Sequence, residues 1–364
     1  MQELLSEITW QSLLMLAIGG TLIYLAITRD MEPTLLLPMG FGTILVNLPF
    51  AKNAAIETLF NAGIANELFP LLLFIGIGAM MDFGPLLENP KLMLFGAAAQ
   101  AGIFLTLIIA RLLGFELADA ASIAIIGAAD GPTSIYVANH FNSQYQGAIM
   151  VAAYSYMALV PIIQPPVIRL LTTRKERLIR MEYRHSNVTK RKRILFPIIV
   201  TLIAGTIAPE SAELIGFLMF GNLIRECGVL NNLSETAQHT LANLITLLLG
   251  LTVAYKMQAS LFVTPATLVI IALGLVAFIL DTAGGVLFAK FMNLFLRNKV
   301  NPMIGAAGIS AFPMSSRVIH KLGRQEDPDN FLLMHAAGCN VSGQIMSVVA
   351  GGILIAIVER LLGM

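Results

Sequence analysis

Long apolar runs follow one another along almost the whole chain, and a polypeptide built this way has few folded options in water. Runs of spanning or near-spanning length occupy residues 8 to 27, 34 to 48, 68 to 87, 91 to 114, 146 to 171, 195 to 207, 211 to 225, 237 to 256 and 261 to 297, and an interrupted one closes the chain at 331 to 363. An α-helix needs about 20 apolar residues to cross a bilayer, so roughly ten segments are expected, and 261 to 297 is long enough to bend or divide. Hydrophobic residues make up 57% of the sequence and charged ones 12%, about half the charged share of a soluble domain. A soluble protein of this size needs a charged surface, whereas here the charges crowd between the runs. The expected fold class is an all-α integral membrane protein.

A net charge of +1 hides a local asymmetry: Arg174, Lys175, Arg177, Arg180, Arg184, Lys190, Arg191, Lys192 and Arg193 are opposed in their segment only by Glu176 and Glu182. The positive-inside rule places this loop, 172 to 194, in the cytoplasm. A solvated inter-helix loop accounts for it without nucleic acid or a specific lipid site. Cys227 and Cys339 form no CxxC pair, and His140, His185, His239, His320 and His335 have no metal-ligand spacing, so neither a disulfide framework nor a zinc site is indicated. Glu3 and Glu7 stand where a signal peptide would carry a basic region, which reads as a retained first helix.

Two stretches are too rich in Gly, Pro and polar residues to be ordinary spans and too apolar to be loops: LADAASIAIIGAADGPTSIYVANH at 117 to 140 and VNPMIGAAGISAFPMSSR at 300 to 317. Both read as broken or re-entrant helices. Backbone that leaves the helical path at membrane depth must be buried in protein or face a water-filled cavity.

The flanks of the basic loop echo each other. MGFGTILVN at 39 to 47 resembles LMFGNLIRE at 218 to 226, and LLLFIGIGAMM at 71 to 81 resembles LLLGLTVAYKM at 247 to 257, with offsets of 179 and 176. GAADGPTSI at 127 to 135 finds a counterpart in AGCNVSGQI at 337 to 345. Two repeats follow, at 1 to 171 with a break at Asp130 and at 195 to 364 with the Asn301 to Arg317 segment and a break at Asn340. Their inverted sense is expected by analogy with transporters built that way.

Asp130 is the sharpest chemical signal, a carboxylate between an apolar run and the breaker Gly131-Pro132. A charge at the bilayer centre costs about 2.5 to 3.5 kcal/mol even on the lenient insertion scale, so it is normally paired with a cation, a basic residue or a proton. Pro132 lacks an N–H and disfavours helical geometry at Gly131, which frees carbonyls near Ala129. Carboxylate and carbonyls together suit a hard cation. Asn340, with Ser342 and Gln344 after it, adds neutral oxygen, and one carboxylate with neutral oxygens favours Na+ or H+ over divalent ions. Asn301, Gly305, Ser310, Ser315, Ser316 and Arg317 form the second polar concentration. The Arg317 guanidinium suits a carboxylate bidentately, although an Arg at a helix end also serves as a snorkelling anchor. Tyr154 and Tyr156 lie mid-run, where a phenol needs a partner.

GAADGPTSIY, VAAYSYMALVPIIQPP, NPMIGAAGISAFP and GCNVSGQI resemble the β subunits of the biotin-dependent sodium-pumping decarboxylases acting on oxaloacetate, methylmalonyl-CoA, glutaconyl-CoA and malonate. The resemblance runs from about residue 31 to the C-terminus. It places the ion-binding acid on Asp130 and further functional polar positions on Tyr156, Asn301, Gly305, Ser310, Arg317 and Asn340. It implies that carboxybiotin, charged by a carboxyltransferase subunit and brought by a biotin carrier, loses CO2 at the membrane subunit while Na+ is exported and a proton consumed. It further implies a two-repeat fold, an oligomer of β subunits and a small single-span partner, in the cytoplasmic (inner) membrane of a prokaryote.

The expected roles are catalysis for Asp130, Tyr156, Ser310 and Arg317; Na+ binding for Asp130, Asn340, Asn301 and Ser310; and contact with biotin for Arg317 and Asn301. Gly131 and Gly305 are expected to shape the site. Contact of Arg317 with the carboxyl group or ring of carboxybiotin rests on its chemistry and not on the motif. A Na+/H+ antiporter is the alternative, since it too needs an intramembrane acid between inverted repeats. The acid consumed is chosen by the carboxyltransferase subunit, and an acyl-CoA is favoured over oxaloacetate.

Overall fold

The computed structural model describes residues 9–29, 32–49, 53–181 and 188–363, and among these it holds helices and turns but no strand. Glu3 and Glu7 lie outside the described residues, as do Glu182, Arg184 and His185 of the basic stretch.

The first half runs α1 (Trp10–Arg29), α2 (Pro33–Val46), then α3 (Ala54–Gly63) and α4 (Leu68–Met80), a pair bent by 63°. A span follows in two pieces, α5 (Leu92–Ala99) and α6 (Ala101–Leu112), joined at Gln100. Next comes a broken segment: α7 (Leu117–Ala124) tightens into a 3-10 turn, Ile125–Ala128, and after Ala129 and Asp130 the chain resumes as α8 (Gly131–His140). The half closes on α9 (Gln146–Leu171). The second half runs α10 (Lys190–Ile207), α11 (Ala212–Cys227), α12 (Asn231–Met257) and α13 (Pro265–Met292). A 3-10 segment, Pro302–Gly308, then leads through an extended stretch into α14 (Met314–Glu326), and α15 (Leu333–Leu362) ends the fold. Among the described residues six helices are long and apolar enough to cross a membrane, or seven with the bent α3–α4 pair taken as one.

Both expected breaks are present, and both rest on the same local chemistry. Ala129 adopts a left-handed conformation (φ 52°) just before Asp130, and Pro132 opens α8 within its first turn, where its missing N–H costs nothing. In the second half Pro313 occupies the residue before α14. The run from 261 to 297 divides near its start: a short helix ends at Phe262, and after Val263 and Thr264 one helix of 28 residues, α13, follows. One expectation is corrected. The break expected at Asn340 is absent, because α15 passes through Gly338, Asn340 and Gly343 as one helix of 30 residues. No proline falls in that stretch, so nothing interrupts the i to i−4 ladder, and the polar side chains are served by neighbouring elements.

The packing recurs at the offsets of the sequence echoes. A Cβ on Gly42 of α2 would lie 3.1 Å from the carbonyl oxygen of Leu251 on α12, and one on Gly221 of α11 would run into the carbonyl oxygen of Ile75 on α4. Gly42 and Gly221 are equivalent at offset 179, Ile75 and Leu251 at 176. Asn47 Nδ2 donates to the Met257 carbonyl at 2.9 Å, and Asn222 Nδ2 donates to that of Met81 at 3.0 Å. Met81 and Met257 are also 176 apart, whereas Asn47 and Asn222 are 175 apart and do not align at the offset of 179. Lipid offers no hydrophobic drive for helix association, so close backbone approach at small residues and inter-helix hydrogen bonds do the work. Each half therefore contributes one helix to each of these two contacts.

Candidate functional site

The two breaks meet. The Ser310 N–H, in the extended stretch after the second 3-10 segment, donates to the carbonyl of Ala128 at 3.0 Å. The Ser310 hydroxyl donates to the Gly343 carbonyl of α15 at 3.1 Å, and Asn340 Nδ2 donates to the Ile309 carbonyl at 2.7 Å. Gln100 Nε2, at the joint of α5 and α6, reaches the Gly308 carbonyl at 3.1 Å. Carbonyls freed by both breaks thus find donors on α15, on the α5–α6 joint and on one another, as buried backbone requires.

Asp130 stands at the N-cap of α8 and is 2% exposed. Three side chains donate to one oxygen, Oδ2: the Thr133 hydroxyl at 2.6 Å, Gln344 Nε2 at 2.9 Å and the Ser347 hydroxyl at 3.2 Å. The first comes from the opening turn of α8. The other two come from α15, where 340, 344 and 347 share a face because four and three residues are each close to one helical turn. Thr133 and Ser347 carry no signal in the sequence beyond being polar residues in apolar surroundings. Ser342, on another face, donates instead to the Met93 carbonyl at 3.2 Å.

All three donors are neutral, and among the described residues no Lys, Arg or His forms an ion pair with Asp130. Dipoles steady the carboxylate without cancelling its charge. The Asn340 amide oxygen is fully buried and has no hydrogen-bond partner. A bare amide oxygen on α15 and a carboxylate bonded only by neutral donors leave acceptor capacity that a cation or a proton can satisfy.

The other expected residues are distributed more widely. Gly131 is pressed against the Tyr154 ring, which leaves no room for a Cβ; the Tyr154 hydroxyl is buried without a partner. The Tyr156 hydroxyl donates to the Ile271 carbonyl of α13. Gly305 lies backbone to backbone against Gly285 of α13. Ser315 donates to Gln164 Oε1 at 2.9 Å, and Ser316 to the Pro313 carbonyl at 2.8 Å.

Asn301 is not brought to Asp130. It caps the start of the 3-10 segment, where its oxygen accepts from the Met303 N–H at 3.1 Å and its amide donates to the carbonyls of Arg177 and Ile179 at 2.8 and 2.9 Å. At about 2 Å per residue the segment carries it some 14 Å from the crossing. Its role in the structure is to tie the basic loop to the second break. Arg317 lies between these two levels, exposed near the start of α14, with no acidic partner among the described residues.

The described part of the basic loop is held against the end of α14. Arg177 Nε meets Glu326 Oε1 at 2.8 Å, and Arg180 grips Asp327 through Nε at 2.6 Å and a second nitrogen at 2.9 Å. The hydrogen bonds from Arg180 hold the Asp327 carboxyl below its usual range. Lys290 of α13 reaches Glu176 at 3.3 Å.

An all-helical multi-pass membrane protein with a cation-seeking carboxylate where two broken helices cross belongs to the ion-translocating class. Comparison with known sequences narrows this: the profile of the Na+-transporting oxaloacetate decarboxylase beta subunit matches residues 11–358, and the chain belongs to that family. It is 50% identical to glutaconyl-CoA decarboxylase subunit beta of Acidaminococcus fermentans over 96% of this chain and 94% of the relative. It is 50% identical to methylmalonyl-CoA decarboxylase subunit beta of Veillonella parvula, over 95% and 93%. To the oxaloacetate decarboxylase beta chain of Klebsiella pneumoniae it is 43% identical, over 94% of each.

Proposed function

We propose that this chain is the membrane subunit of a sodium-translocating decarboxylase, coupling CO2 release from carboxybiotin to Na+ export. The observation that carries the reading is Asp130, a buried carboxylate with three neutral donors, no basic partner among the described residues, and the unpartnered Asn340 oxygen on the helix that supplies two of those donors. Na+ neutralises the carboxylate in one state and a proton does so in the other. Protonation of Asp130 expels Na+. That proton is then taken by the ring nitrogen of biotin as its bond to the carboxyl carbon breaks and CO2 leaves. Exporting one Na+ against 100 mV costs about 2.3 kcal/mol, so CO2 release must be confined to one access state. Arg317, with no acidic partner among the described residues and between the crossing and the loop along the chain, suits the carboxyl group of carboxybiotin.

The two halves form inverted repeats, 1 to 171 and 195 to 364, around the cytoplasmic loop 172 to 194, in the cytoplasmic (inner) membrane of a prokaryote. Biotin arrives on a carrier protein or domain charged by a carboxyltransferase subunit, and a small single-span subunit and further β subunits complete the complex. Identity of 50% to two acyl-CoA decarboxylase subunits against 43% to an oxaloacetate decarboxylase chain favours an acyl-CoA as the ultimate substrate.

Asp130→Asn tests the reading, because it keeps the shape of the side chain and loses both the charge and the ability to take the proton. In the reconstituted complex, with the variant verified as folded and assembled, Na+-dependent CO2 release from carboxybiotin and Na+ uptake both stop. Wild-type decarboxylation without Na+ movement would separate chemistry from transport and defeat the shared proton.

A further inference from the structure

The bilayer core holds a second acid that the sodium site does not use. Asp281 lies mid-way along α13 and is fully buried. Its Oδ1 accepts the N–H of Ile103 at 3.2 Å, and the Gly102 N–H also bonds the carboxyl group. Both donors lie in the first turn of α6, where the Ile103 N–H is shared with the Gln100 carbonyl at 3.2 Å, and they account for one oxygen. The other, Oδ2, is buried with no hydrogen-bond partner. It faces Gly127 in the 3-10 turn that precedes Asp130: a Cβ there would lie 2.5 Å from Oδ2 and 2.9 Å from the Cβ of Ala277.

We propose that Asp281 is a second proton-binding site of the membrane core, separate from Asp130, a neutral carboxylic acid with its proton on Oδ2. A bare charged oxygen at this depth is strongly disfavoured, so Oδ2 requires a ligand. Sodium needs several oxygens in place of its water shell, and Gly127 and Ala277 close the space around Oδ2. A proton is the ligand that fits.

Elements packed on α13 bring no neutralising base. The α5 helix, the Ile125–Ala128 turn and the Pro302–Gly308 segment carry no titratable side chain. The α6 helix carries only Arg111, exposed in its last turn. Asp119 of α7 is held by Ser143 and Gln144, and α9 carries Tyr154, Tyr156 and an exposed Arg169 that donates to Gln325 at 3.3 Å. Lys290 of α13 itself is bound to Glu176, and Asp130 follows the turn that Asp281 touches. Asp130 has three donors for a charge where Asp281 Oδ2 has none, so neighbouring acids are built for opposite states. A neutral Asp281 leaves Asp130 as the one exchanging charge at the crossing. The assignment does not depend on which ion Asp130 holds.

Infrared spectroscopy of the full chain in lipid bilayers tests it. Asp130→Asn protein carrying 13C-carboxyl aspartate is expected to show, at neutral pH, an isotope-shifted carbonyl band of a neutral acid that NaCl leaves unchanged. The band disappears when Asp281→Asn is added, and Asp281→Glu removes its isotope shift if the Asn variant does not assemble. Absence of an isotope-sensitive acid band, its survival in the double variant, or its collapse on adding NaCl would each overturn the proposal. Asp281→Asn alone should bind 22Na+ within about twofold of wild type, and a loss of about tenfold or more would mean that Asp281 is charged in the sodium-bound state.

Discussion

At the scale of single residues, the site is a matter of which polar atoms remain unspent. Asn340 gives its amide hydrogens to Ile309 and keeps its oxygen free, one and two turns from the groups that grip Asp130. Asn340→Asp puts a second acid on that face, where two nearby carboxylates resist ionising together. Sodium affinity is expected to become more pH-dependent, read as 22Na+ binding across a pH series. The lost donor to Ile309 adds a destabilisation of about 1–3 kcal/mol, seen as a lowered thermal midpoint. A wild-type pH profile would place the two residues in separate sites. Asp130 was legible from sequence because a lone acid beside Gly-Pro in an apolar run is costly wherever it lies. Asp281 sent the same signal from inside the 261 to 297 run without a breaker beside it. Ser347 was not legible, because its partner lies 217 residues away in sequence, and Thr133, only three residues from Asp130, was hidden because its bond depends on the shape of the break.

At the scale of elements, proline decided what could be read. The segments 117 to 140 and 300 to 317 announced their breaks through Gly-Pro and Phe-Pro, whereas the polar cluster at 338 to 344 mimicked a break while its backbone stayed helical. Partners of the basic loop were hidden for another reason: Glu326, Asp327 and Asp329 lie about 150 residues downstream and meet Arg177 and Arg180 only in the fold. Since Arg180 lowers the Asp327 value, this pair stabilises the fold above the ordinary carboxylate range, and the benefit fades as pH falls through the lowered value. Thermal midpoints of wild type and Asp327→Asn should therefore differ at neutral pH and converge below about pH 4. A gap that persists unchanged into acid would mean that the pair contributes no charge-dependent stability.

At the scale of the whole molecule, the proposed orientation rests on the basic loop. The α9 helix spans about 39 Å at 1.5 Å per residue, from the pocket shared by Leu113, Gln144 and Tyr145 to the basic segment. In a Cys227→Ser background, an impermeant thiol reagent applied to intact cells should label Leu113→Cys and spare Lys175→Cys; both side chains are exposed. The reverse pattern would invert the direction of pumping. The all-helical membrane fold was legible as the succession of apolar runs, and the contacts of Gly42 and Gly221 stand at the offset read between the sequence echoes.

Those contacts also have a consequence for biosynthesis. The Asn47 amide waits for the Met257 carbonyl, 210 residues later in the chain, and α4 waits likewise for α11. At 5–20 residues per second the ribosome takes about 10 to 40 s to supply that partner. Until then the small-residue faces of the first half lack the helices they pack against, and the Asn47 amide has only the Thr43 carbonyl of its own helix, at 2.8 Å. The inter-half contacts of α2 and α4 are thus made only when the second half arrives.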